Sequence, residues 1–317
     1  MLTSFFGNSR PVNFLLLAAF ILIGYTVSVF FGSEIQIDLQ SVSAHLILSA
    51  ISVFSMLLLN FIVTKNKLTK LNTLAVLFYS SFMVMLPVIF VEDNIVVANF
   101  FLLLAFRRIV SLRKDTNSSK KILDASVWIT VASLFYFWSF LFFIPLWIAI
   151  IQKPNTSFKQ VLIPITGFLA VILINTAFQL LVNNSIDWLF EWKDSISLDF
   201  SIYNNAKTLL PATVIIGFFI WTGIWKLFML PTIPFNERSS HLLTLYIGAI
   251  SFVIALAAPE KTGAEFLFVL APLSIITTNY FEKKSKNHDA LEFWFKEILL
   301  WVVVVFACVF LFGVVFE

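Results

Sequence analysis

The stretch Asp124–Gln152, DASVWITVASLFYFWSFLFFIPLWIAIIQ, decides how this chain folds. It runs for 29 residues with one charged side chain, at its first position, between Lys120-Lys121 and Lys153. Cytoplasmic segments of membrane proteins retain Lys and Arg, so basic flanks on both sides place both ends on one face of a membrane. Two full crossings need roughly 40 residues, at about 1.5 Å per residue and about 30 Å of hydrocarbon. The stretch therefore reads as a short or re-entrant helical hairpin that stops short of a full crossing. It turns near Phe137-Trp138-Ser139 and carries Pro145 in its second arm. Backbone of that kind survives at membrane depth only where protein or a water-filled cavity covers it.

Outward from the hairpin the charges sort just as strictly. Of 21 Lys and Arg residues, 18 lie in segments assignable to one side, and only Lys193, Lys207 and Lys261 to the other. Apolar spans between them are expected at 12–31, 43–63, 71–91, 95–112, 161–182, 209–230, 242–258, 264–280 and 298–315. With the hairpin counted as two, the fold class is an all-α, polytopic transmembrane bundle of about 11 membrane segments in one integral membrane domain, 1–317. Composition demands lipid as the solvent: 60% of residues are hydrophobic and 12% charged, against about 25% charged in soluble domains. The net charge of +3 follows from membrane orientation and gives no reason to expect nucleic acid. Cys308, the single cysteine, leaves no disulfide and no cysteine metal site. The first apolar run has no small-residue cleavage site after it and reads as a retained span. The expected setting is a bacterial inner membrane, N-terminus cytoplasmic and C-terminus exterior.

The segment 183–208 is the longest exterior one. Asp187, Glu191 and Asp194 recur at helical spacing, as do Trp188 and Trp192, so Ser185–Asp194 reads as an amphipathic helix with its rings toward lipid. Eleven of the 18 acids fall in exterior segments, an accumulation that orientation alone does not require. Asp38 lies in the first exterior loop and is the candidate general base. Glu92-Asp93 lies in the second, where paired carboxylates are candidate ligands for a divalent cation and candidate catalytic acids. His45 follows Asp38 by seven residues and sits two turns below it if the helix includes both. Lys226 is expected to snorkel to the cytoplasmic interface, and His241 and His288 fall in cytoplasmic segments. No phosphate-binding loop, nucleophile elbow, HExxH or dinucleotide fingerprint is present. The spans hold almost no charge at mid-depth, which argues against an ion-coupled transporter.

The order of these parts resembles the membrane module of polyprenyl-phosphate-sugar-dependent GT-C glycosyltransferases. The matching pieces are Gly32–Ser41 with Asp38, Glu92-Asp93, Asn94–Arg108 and Ala132–Ala149 with Pro145, within residues 10–182. The resemblance implies transfer of a sugar from a polyprenyl-phosphate lipid on the exterior face, with Asp38 as base. Two features depart from it: exterior cations for the lipid phosphate are scarce, and no large exterior acceptor domain follows, only the helices of 209–317. The chain also resembles a Phe-rich multi-pass inner-membrane family of Bacteroidota that carries no assigned activity. Two other functions stay open: a non-catalytic membrane subunit that anchors a membrane or cytoplasmic protein partner, and a small-solute transporter or flippase.

Overall fold

The computed structural model describes residues 1–32, 39–113, 117–153, 156–283 and 290–315, with the side chains of Phe31, Gly32, Leu39, Asn236, Val314 and Val315 left aside. Among these residues the chain is helical throughout, with no strand. Its helices are α1 (Leu2–Phe6), α2 (Pro11–Gly32), α3 (Leu39–Asn66), α4 (Leu74–Met85), α5 (Asp93–Ser111), α6 (Ser118–Phe135), α7 (Phe143–Ile151), α8 (Phe158–Asn183), α9 (Trp188–Glu191), α10 (Ala206–Met229), α11 (Phe235–Ala257), α12 (Leu267–Glu282) and α13 (Ala290–Val315). Eight of them, α2, α3, α5, α8, α10, α11, α12 and α13, are long and apolar enough to cross a membrane. With α4, α6 and α7 they make the polytopic bundle the sequence led us to expect.

The core is built on α4 and α12. All twelve residues of α4 are buried, and it packs on α12, α13, α2 and α3. This corrects the expected full span at 71–91. The helix stops at Leu86, because the residue before Pro87 is held out of helical geometry, and Pro87–Phe90 continues as a single 3-10 stretch. At about 1.5 Å per residue α4 is only about 18 Å long, and it meets protein on every side. A wholly apolar sequence looks the same in lipid as in a core, so periodicity alone could not separate the two.

The hairpin is present, with longer arms than its apolar residues implied. The first arm starts at Ser118, six residues before Asp124, and runs to Phe135. The second arm is a 3-10 stretch, Phe137–Phe142, followed by α7. The looser rise of a 3-10 helix, about 2.0 Å per residue, gives this arm about 25 Å against about 27 Å for α6. The feet meet: Lys153 Nζ donates to Ser118 Oγ at 2.8 Å. The tip lies far from them, where Tyr136 packs on Phe268 at the start of α12.

The two ends of the bundle differ in charge. At one end Lys70 N donates to Glu282 (2.9 Å), Asn279 to the Leu68 carbonyl (3.1 Å), Lys226 to Asn279 (2.8 Å) and Ser239 to Gln152 (3.3 Å). These contacts gather the loops rich in Lys and Arg. The opposite end carries the end of α2 and the start of α3, the α4–α5 and α11–α12 connections, the hairpin tip and residues 183–205, and with them Lys193, Lys207 and Lys261. Lys226 does not snorkel free; it is buried against Asn279.

Candidate functional site

At the acid-rich end, helix boundaries bring the polar side chains together. Tyr25, near the end of α2, is buried, and its hydroxyl lies 3.0 Å from His45 Nδ1 on α3. Asp93 opens α5 near enough to act electrostatically on both His45 and Tyr25. Glu92 precedes it, half-buried, with no capping bond from its side chain. Burial lifts the Glu92 carboxyl above the usual carboxylate range, and the charges of Glu260 and Asp93 lift it further. The structure thus unites His45, Glu92 and Asp93, three of the four expected site residues. Asp38 lies outside the described residues; Leu39, next in sequence, opens α3. Among the described residues no three His, Cys, Asp or Glu side chains converge as a cation site, so Glu92 and Asp93 stand as a pair.

The hairpin tip completes this end, and the sequence pointed to its turn without showing what the turn exposes. Tyr136 Oη, Trp138 Nε1, Ser139 Oγ and Trp188 Nε1 are all buried without a hydrogen-bond partner. Four such orphans within one neighbourhood are unusual, since buried polar groups are nearly always paired. Tyr136 feels the carboxylates of Glu265, Asp194 and Glu92. Aromatic rings surround the tip: Phe137 stands edge-on to Trp138 at 5.3 Å and to Trp192 at 5.2 Å. The density of rings in FYFWSF was the available signal.

The tryptophans of the 183–208 segment overturn one expectation. Within the expected helix, 185–194, only a single turn, α9, is helical. Both rings are half-buried against protein: Trp188 lies against Trp192 at 6.3 Å, Trp192 Nε1 donates to the Ser133 carbonyl at 2.6 Å, and Trp192 lies against Phe168 at 6.3 Å. The Ser133 carbonyl is free for this bond because α6 ends two residues later. Leu189 and Phe190 point outward instead.

Behind the tip, two buried ionisable side chains, Lys261 and Glu265, each hydrogen-bonded, fix the α11–α12 connection. Lys261 is 1% exposed and Glu265 0%. The Lys261 ammonium donates to the carbonyls of Ala255 (3.3 Å), Leu256 and Ala258 (3.1 Å), where α11 leaves its last acceptors unpaired. Glu265 accepts from the Tyr203 hydroxyl and from Gly263 N at 2.7 Å. Burial, with the neighbouring Glu265 carboxylate, pushes the Tyr203 phenol up. Gly263 has φ +96°, and a Cβ there would come within 2.9 Å of Thr208 Cγ2, so glycine is required twice over.

No curated protein and no solved structure matches the chain. A family pattern does match it, over residues 12–316. The chain belongs to that family, DUF6427, described as a family of unknown function.

Proposed function

We propose that this chain is a multi-pass protein of a bacterial inner membrane that handles polyprenyl-phosphate-linked sugars at its acid-rich end, which faces the exterior. One observation carries the reading: four unpartnered polar groups and several aromatic rings at the hairpin tip lie beside Glu92, Asp194 and Glu265. A sugar ring presents hydroxyls to such donors and carboxylates, and apolar faces to such rings. In transfer, an acceptor oxygen bonds to the anomeric carbon while the bond to phosphate breaks, and the phosphate leaves with the electron pair. The acceptor proton passes to a carboxylate: Asp38 by resemblance, or Glu92, whose raised pKa makes its carboxylate a stronger base than an ordinary one.

A second reading, a non-catalytic subunit that anchors a partner protein, is favoured by Lys261. It is one of three basic residues at this end, and its charge is spent inside the protein on α11. Fewer cations then remain for a lipid phosphate.

The test is turnover of a labelled polyprenyl-phosphate sugar by the full chain in membranes. Glu92→Gln, Asp38→Asn and Tyr136→Phe are each expected to lower turnover by about 10²-fold or more with the protein still folded. If wild type neither binds nor consumes the lipid-linked sugar, the subunit reading replaces this one.

A further inference from the structure

At the basic end, a cleft of about 530 Å³ opens between the α7–α8 connection, the end of α5 and the start of α11. Arg113, Lys153 and Arg238 line it, and among the described residues none that lines it is acidic. Orientation bias accounts for basic residues at this end of the bundle but not for three of them around one cleft. Arg113 is exposed, and its single side-chain contact in the cleft wall is a long one, 3.5 Å to Ser240 Oγ. Arg238 donates through Nη2 to the Pro231 carbonyl at 2.9 Å, while its Nε is buried without a partner. A desolvated guanidinium N–H in a cleft that the exposed Arg113 also lines suits an oxyanion, and Arg presents its donors in a fork that fits phosphate oxygens. The remaining wall combines the polar Gln152 and Ser239 with an apolar side formed by Ala149, Leu242 and Leu243, and Phe235, 85% exposed, stands at its rim.

We infer that this cleft binds the phosphate of an anionic lipid, with Arg113 and Arg238 on the phosphate and Phe235 and Leu242 along the acyl chains. The apolar side selects a lipid over a free anion. The site is independent of the acid-rich end and of the sugar chemistry proposed there.

The experiment uses the full chain in phosphatidylcholine nanodiscs with or without phosphatidylglycerol, scored by native mass spectrometry for retained lipid and by melting temperature. Wild type is expected to retain phosphatidylglycerol and to melt several degrees higher with it. Arg113→Gln, at an exposed position that folding tolerates, should weaken retention about tenfold, and Arg238→Gln should do the same. Lys207→Gln, at the opposite end, should leave it unchanged. Equal retention by wild type and Arg113→Gln overturns the proposal. So does an equal melting shift from inorganic phosphate alone in phosphatidylcholine discs, which would make the ligand a free anion.

Discussion

At the residue scale, Glu92 shows how position rather than identity makes a group chemically useful. Its neighbours are two carboxylates, Glu260 and Asp93, and part of its surface is withdrawn from water. Both effects penalise the charged form, so the fold prefers the protonated acid. The sign follows: a carboxyl raised above its ordinary 4.5 stabilises the fold fully below that value, and this contribution is lost as pH rises through the folded value. Glu92→Gln keeps the neutral shape at every pH. The variant is therefore expected to melt higher than wild type at pH 7, with the gap closing as pH falls toward 4. A constant gap across that range in a thermal-shift series would show that the surroundings of Glu92 do not raise its pKa. The acid pair itself was legible in the sequence, as was His45. Their partner Tyr25 was not, because a tyrosine in an apolar span carries no sign of which helix it faces.

At the element scale, sequence reading succeeded where length and charge conflict, and failed where apolar residues run unbroken. The hairpin was legible because 29 residues between basic flanks admit few solutions. Its depth was misjudged because Ser118–Leu123, polar at the start, looked like loop and proved to be the first turns of α6. Segment α4 looked like any other span and proved to be the buried axis of the bundle. Helix contacts inside a membrane depend on close approach at small residues, since lipid is as apolar as leucine. Gly167 on α8 is such a point: a Cβ there would sit 1.9 Å from Ser126 Oγ and 2.9 Å from Ser126 Cβ on α6. Only three residues of α8 are buried, Pro164, Gly167 and Val171, so this close approach lies at the centre of its contact with α6. Gly167→Val should cost about 1–3 kcal/mol by forcing α8 off α6. Gly217 has nothing within 4 Å of its would-be Cβ, so Gly217→Val is the matched control and should melt like wild type. Equal melting of the two variants would mean that α8 is held by something other than this approach.

At the scale of the whole molecule, the charge partition read from the sequence reappears as a partition between the ends of the bundle. Hydrogen bonds tie the basic loops into one face through Lys70–Glu282, Lys226–Asn279 and Lys153–Ser118. The opposite face carries Glu92, Asp93, Asp194 and Glu265, with Lys261 buried at the end of α11. Which helices neighbour one another stayed hidden, because apolar faces that meet protein and those that meet lipid have the same composition. The retention of basic residues in the cytoplasm predicts that Lys67 lies inside and Lys193 outside. A membrane-impermeant thiol reagent separates the two in a Cys308→Ser background, since Cys308 is the single natural cysteine. Lys193→Cys is expected to react in intact cells and Lys67→Cys only after permeabilisation. Both positions are exposed, so a failure to label reports sidedness rather than burial. If both react in intact cells, or neither does, the two ends of the bundle do not face opposite compartments. The acid-rich cluster then has no claim to a substrate delivered on the exterior face.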